Sequence, residues 1–304
     1  MAKNKYPKSF WHPRYWPTWV GFFFIWLVAF LPWPVKRGLG RALGWLIFSL
    51  AKRRRHITEV NIRLCFPELD ITAQQKLVKD TFLANGIGLF ETATAWFRRP
   101  EYLRPITQIK GAEHLQKALD QGKGAIIIGI HFSTLDLAGA INRLYFDIDA
   151  FYRKHDNPVF EWIMTRSRQR IYGKAIDRHD LKSALKRIKQ GRAIWYSPDQ
   201  DFGRKVSVFA PFFGIEAASI KMTARLVKMT GCAAVPLAVR RLADNRYELE
   251  YSPPLDHFPS GDDAADASRI NTVIENIIRQ HPEQYMWMHR RFKTRPEGEP
   301  SLYD

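Results

Sequence analysis

Hydrophobic positions along the chain fall into three regimes. From Tyr15 to Val35 no charged residue interrupts 21 positions, and Phe22 to Phe30 is apolar throughout. Read as a helix, that stretch measures about 31 Å, close to the thickness of a bilayer's hydrocarbon core. Trp11, Trp16, Trp19 and Trp33 stand near its two ends, where interfacial aromatics gather. Pro17, Pro32 and Pro34 trim the clean helical pattern to Thr18–Leu31. The segment is therefore expected to span or dip into a membrane, with a buried core helix as the alternative. Residues 71–98 then read as helical, with Leu77, Phe82, Leu83, Ile87, Phe90 and Phe97 near helical spacing.

After Pro105 short apolar runs alternate with amphipathic ones. The expected strands are Ile106–Lys110, Ala125–Ile130, Ala150–Arg153, Ala193–Ser197, Ala233–Arg240 and Tyr247–Tyr251. The expected helices between them include Glu113–Leu119, Leu135–Leu144, Pro158–Arg170, Leu181–Lys189 and Ala217–Met229. Ala125–Ile130 is apolar on both faces, as a central strand covered by helices on both sides must be. The pattern predicts an α/β fold: a largely parallel central sheet flanked by helices, preceded by an N-terminal membrane helix and a helical lead-in. Two regions follow, a membrane anchor and basic interfacial segment over 1–60 and an α/β domain over 61–304. In such sheets the site lies beyond the carboxyl ends of the strands.

Charge narrows the choice of partner. The 304-residue chain carries a formal net charge of +17, which predicts polyanionic company. Residues 1–60 hold 11 Lys/Arg against the single acid Glu59, in the most apolar part of the chain. Basic and apolar together point to an anionic membrane surface more than to nucleic acid, and no nucleic-acid recognition module is legible. No small-residue cleavage site follows the apolar segment, and seven Lys/Arg lie between Lys36 and Arg55. Those features argue against a cleaved signal peptide and for the remainder of the chain facing the cytosol. Lys52–Arg55 fits head-group contact or a solvated helix end. Cys65 and Cys232 stand alone, without disulfide or metal spacing.

His131 follows the central strand Ala125–Ile130 at its carboxyl end, and Phe132-Ser133-Thr134-Leu135-Asp136 comes next. If a helix begins at Ser133, Asp136 falls in its first turn and its carboxylate can reach back to hold the imidazole in one tautomer. His131 would then act as a general base on an alcohol that attacks an acyl carbonyl. Ser133-Thr134-Leu135-Asp136 equally fits a capping box, in which Asp136 satisfies helix-start amides. No Gly-x-Ser-x-Gly elbow is present, which excludes the usual serine hydrolase.

His131-Phe132-Ser133-Thr134-Leu135-Asp136 resembles the signature of the lysophospholipid acyltransferase superfamily. Segments along the whole chain resemble, more closely, the late acyltransferases of lipid A biosynthesis, of the lauroyl and palmitoleoyl type. They include His12–Trp16, Asn61–Glu68, Glu91–Phe97, Asp199–Gly203, Pro282–Trp287 and His289–Pro296. This chain carries Asp136 where nearer relatives often carry Glu, one methylene longer. The resemblance implies transfer of an acyl chain from acyl carrier protein to the hydroxyl of a hydroxyacyl chain on Kdo2-lipid IVA. It implies no cofactor beyond the donor's own phosphopantetheine, no metal, and a place at the cytoplasmic face of the bacterial inner membrane. A glycerophospholipid or another membrane lipid is the alternative acceptor. Acyl chains of C12, C14 and C16 all remain open.

The resemblance also suggests roles. Arg168 and Arg170 match family arginines and are assigned to lipid phosphate or to the oxyanion on the thioester carbonyl, with Arg153 a weaker candidate. Asp199, in Pro198-Asp199-Gln200-Asp201, is assigned to hold a site arginine or an acceptor sugar; closing a turn is its structural alternative. Paired Asp without a His or Glu partner gives no metal site. Phe209–Gly214 resembles an acceptor-side segment, and it lines an acyl groove or belongs to the core.

Overall fold

The computed structural model describes residues 8–304. Residues 1–7 of the expected anchor region lie outside the described residues. The apolar opening segment forms two helices rather than one: α1 (Trp16–Ala29) and α2 (Trp33–Leu50). Pro32 caps α2 and Pro34 occupies its first turn, so the chain turns at Phe30–Leu31 instead of continuing. With 14 residues α1 is about 21 Å long, short of the roughly 30 Å a span requires. Among the described residues no helix is long and apolar enough to cross a membrane. This corrects the expected membrane helix: the prolines that trimmed the pattern end it.

Helix α1 buries Phe22 against Trp96 and Phe160 and leaves Trp16, Val20, Phe23, Phe24, Trp26 and Phe30 exposed. Helix α2 packs along α4 (Ile71–Phe97) at a glycine contact. A Cβ built on Gly86 would lie 2.2 Å from the Gly40 carbonyl oxygen, and one on Gly44 2.4 Å from that of Phe82. Lys36 does not reach outward from the basic run. It is buried, donates to Thr94 Oγ1 at 2.9 Å and lies 3.7 Å from the Trp33 ring. Burial and then the nearby Arg98 push its amine down to about 8. Helix α3 (Lys52–Cys65) starts with Lys52, Arg53 and Arg54 exposed, and Cys65 at its end is a buried free thiol, as is Cys232.

The rest is the expected α/β core. The strands are β1 (Thr107–Lys110), β2 (Ala125–Ile128), β3 (Asp149–Tyr152), β4 (Ala175–Asp177), β5 (Ala193–Tyr196), β6 (Ser207–Phe212), β7 (Ile215–Ile220), β8 (Ala233–Arg241) and β9 (Tyr247–Tyr251). Seven of them form one sheet in the order β1-β9-β8-β2-β5-β3-β4, parallel except at the β8–β9 pair. Ile126, Ile127 and Ile128 of central β2 are all fully buried. Their side chains alternate between two layers, as the strand period demands. Ile126 and Ile128 join Phe82, Leu226, Ile274 and Trp287, while Ile127 joins Trp96, Leu115, Leu137 and Ile141.

Helices α5 (Ala112–Asp120), α6 (Leu135–Asn142), α7 (Pro158–Ile171), α8 (Leu181–Lys189), α9 (Met222–Thr230) and α10 (Asp263–Gln280) cover the sheet. The expected helix over Ala217–Met229 begins later than its pattern suggested. Ala217–Ile220 belongs to strand β7, paired antiparallel with β6, and only Met222 onward is helical. That hairpin takes in most of Phe209–Gly214. Phe212 and Phe213 are buried beside Phe292, Phe66 and Trp287, so these rings pack the core.

Candidate active site

Strand β2 delivers His131 to the expected place, beyond the carboxyl end of the sheet's central strand. The Gly129 amide continues the ladder by donating to the Tyr196 carbonyl oxygen at 2.8 Å. The backbone then leaves the sheet, and the C-terminal segment fixes it. The Met286 amide donates to the His131 carbonyl (3.0 Å) and the Ser133 amide to the Gln284 carbonyl (2.7 Å), around a Phe132–Tyr285 bridge. Helix α4 presses on the same loop: a Cβ on Gly88 would lie 2.5 Å from the Ser133 carbonyl oxygen.

The imidazole's carboxylate comes from the neighbouring strand. Asp199, fully buried on the loop after β5, accepts from His131 twice, at Oδ2 from the backbone amide (2.9 Å) and at Oδ1 from ring Nδ1 (2.6 Å). An ionised carboxylate only accepts, so the shared proton sits on Nδ1, and in the neutral ring Nε2 carries the lone pair. Burial pushes the imidazole down, but the charge of Asp199 and its hydrogen bond outweigh that, and the net direction is above the ordinary histidine value. For Asp199, burial pushes up and His131 pulls further down, so its carboxyl stays below the usual range. His289 behaves oppositely: burial, and then the charge of His131, push it down to about 4, which keeps it neutral. Asp201 has a structural task. Its carboxylate accepts from the Thr294 amide and hydroxyl (2.7 and 2.9 Å) and from the Gly203 amide, tying the C-terminal segment to the loop after β5.

Asp136 lies in the first turn of α6, which starts at Leu135. Among the described residues no hydrogen bond joins it to the imidazole, and it caps no helix amide. It faces Arg168 of α7, Nη2 to Oδ1 3.6 Å. His131, Asp136 and Arg168 line one cavity of about 340 Å³, with Arg153 and Arg178 exposed at its mouth. Arg170 is not part of it. That side chain turns to the other side of α7, donates to the Trp96 carbonyl and borders a separate apolar groove along α1.

Nearly the whole chain, residues 3–294, matches a family model described as bacterial lipid A biosynthesis acyltransferase. The chain belongs to that family. It is 42% identical to the lipid A biosynthesis lauroyltransferase of Escherichia coli over 301 residues, 98% of each chain. Its identity to the palmitoleoyltransferase of the same organism is 39%, again over 98% of each chain. To the myristoyltransferase it is 28%, over 98% of this chain and 94% of the other. The protein is thus an acyltransferase, and the resemblance of its segments to the lipid A biosynthesis acyltransferases stands.

Behind this acyltransferase's histidine loop lies a buried charged network that sequence patterns did not reveal. Glu91 of α4 accepts from Arg241 Nε (2.7 Å) and Nη2 (2.9 Å) and from the Tyr247 hydroxyl (2.5 Å). Arg241 also donates to Ser133 Oγ at 3.3 Å, and the Gln284 side chain clips both backbone groups of Arg241 at 2.9 Å. The only sign in the sequence was a lone acid in the apolar run around Glu91. Breaking a buried pair leaves an uncompensated charge and costs about 3–5 kcal/mol. Glu91→Ala is therefore expected to lower unfolding stability by that amount in chemical denaturation, and an unchanged midpoint would show that the network does not hold this loop.

Proposed function

We propose that the chain transfers a fatty acyl group from acyl carrier protein to the hydroxyl of a hydroxyacyl chain on Kdo2-lipid IVA. The observation that carries this reading is the Nδ1 bond from His131 to buried Asp199, which leaves Nε2 of this cavity-lining ring available as a base. In the proposed step Nε2 takes the proton of the acceptor hydroxyl as that oxygen attacks the thioester carbonyl. The tetrahedral intermediate then collapses, the C–S bond breaks, and the proton passes to the departing thiolate. Asp199 holds the ring and offsets the imidazolium's charge. Arg168 balances charge on the oxyanion or the acceptor's phosphate, with its guanidinium oriented by Asp136. Arg153 and Arg178 at the mouth suit an acceptor rich in phosphate and carboxylate.

We also assign the chain to the cytoplasmic face of the inner membrane, resting on anionic lipid rather than crossing it. Support comes from the exposed aromatic side of α1, the exposed Leu39, Trp45, Leu46 and Leu50 of α2, and the Lys52–Arg54 cations that follow. Apolar burial in the head-group zone and attraction to anionic lipid act together in such helices. An acidic carrier protein would be steered by the same net positive field.

His131→Ala is expected to lower kcat by about 10²–10⁴-fold with acyl-carrier donor and lipid acceptor; near-normal turnover would end this mechanism. The base works unprotonated, so kcat/KM should rise with pH through a midpoint above the ordinary imidazole value of about 6.5. Asp199→Asn removes the attraction and leaves burial, so its midpoint should fall below that value. Asp136→Asn should lower the rate with the midpoint in place, and the reverse pattern would give Asp136 the orienting role. For the membrane reading, Phe23→Glu combined with Trp26→Glu should abolish pelleting with anionic phospholipid vesicles. Undiminished pelleting of the folded variant would place the membrane contact elsewhere.

A further inference from the structure

The row of side chains that crosses the sheet beneath the His131 cavity changes size abruptly. Register partners on adjacent parallel strands share a face, and the pairs Val235–Ile127, Ile127–Trp195, Trp195–Ala150 and Ala150–Ala175 run through β8, β2, β5, β3 and β4. Three large residues fill the layer as far as β5. Over β3 and β4 the same level carries only alanine methyls. Helix α7 spans the gap without closing it, and the cavity of about 340 Å³ extends over Ala150 and Ala175, with Met164 and Tyr172 as walls.

Two glycines keep the walls where they are. A Cβ on Gly129, two residues before His131, would stand 1.9 Å from the Trp195 indole nitrogen. The indole thus lies against the backbone just beyond β2. A Cβ on Gly139 of α6 would stand 2.3 Å from the Tyr172 hydroxyl, so that ring also packs tightly against its neighbour. The result is a slot lined by the charged Arg153, Arg168 and Arg178, with an apolar floor that is buried at Ala150 and half-buried at Ala175. From β5 to the sheet edge at β4 it covers two strand spacings, about 10 Å.

We propose that this slot holds a fatty acyl chain running from His131 across Trp195 to the sheet edge, and that Ala150 and Ala175 set the length the enzyme accepts. The inference rests on the reading of the His131 cavity as the reaction site. Two molecules bring such a chain to the histidine: the thioester donor, and the acceptor through its hydroxyacyl chain. Ala175→Leu and Ala150→Leu raise the floor and exclude the last carbons of the chain. Met164→Ala opens the wall from α7 and admits more.

The test uses the full chain in detergent with two substrate series. One holds the lipid acceptor constant and varies the acyl-carrier donor from C8 to C16; the other holds the donor constant and varies the acceptor's hydroxyacyl length. The readout is the ratio of kcat/KM between chain lengths within each variant, in which a general loss of rate cancels. Each methylene that no longer fits should cost roughly 10- to 200-fold. Both leucine variants should move the optimum to shorter chains and Met164→Ala to longer ones, in the same series, and that series identifies whose chain the slot holds. Unchanged profiles in both series, or shifts in which leucine and alanine variants move together, overturn the assignment. Should Ala150→Leu fail to fold on its inner strand, Ala175→Leu at the sheet edge and Met164→Ala decide the matter. If His131→Ala leaves turnover intact, the reading of the site is what fails. If turnover depends on His131 and the profiles stay put, the slot alone is wrong.

Discussion

Asp199 leaves strand β5 and reaches the first turn of chain beyond its neighbour β2, where it meets both the backbone amide and the ring of His131. One buried carboxylate therefore sets the backbone path of the loop, the tautomer of the imidazole and the charge that a protonated imidazole would face. The bond holds only if β2 and β5 end at the same level, which their residue-for-residue pairing from Ala125–Ala193 to Ile128–Tyr196 ensures. It also needs the loop pinned from behind, and Gln284, Met286 and Arg241 supply that pinning from the far end of the chain. A fully buried carboxylate is costly without compensation, and two hydrogen bonds from His131 compensate this one.

The N-terminal third does different physical work. Its aromatic residues divide between two surroundings: Phe22 closes the core against Trp96, while Phe23, Phe24 and Trp26 stay exposed. Its cations divide likewise, with Lys36 buried against Trp33 and Lys52 to Arg54 exposed. The glycine seam between α2 and α4 brings this layer against the helix that also supplies Glu91 and presses on Ser133. The exposed aromatic face and the support of the histidine loop are therefore parts of one packed unit.

Much of the core was legible because its signals are local. Apolar runs such as Ala125–Ile128 and Ala193–Tyr196 mark buried parallel strands whatever surrounds them, and Leu181–Lys189 has a helical face that stops at its cap. Strand β4 was not legible, because three residues carry no period. Ala217–Ile220 was read as helix, because small apolar residues suit both periods and only pairing with β6 decides between them. The apolar length of Tyr15–Val35 suggested a span, whereas Pro32 and Pro34 at the start of α2 set the actual ends. At the site, His131 was visible from its place after a central strand. Its hydrogen-bonded partner was not: Asp136 is five residues away and Asp199 sixty-eight, and only the adjacency of β2 and β5 makes the distant one near.

The central claim is that His131 keeps its proton on Nδ1, bound to Asp199, and presents Nε2 as the base. Nitrogen-15 NMR of the histidine-labelled protein reads the tautomer and its titration directly. The account predicts a neutral His131 ring with a pyrrole-type Nδ1 and a pyridine-type Nε2, titrating above the ordinary imidazole range. A neutral ring protonated on Nε2, or one that titrates below that range, would contradict it.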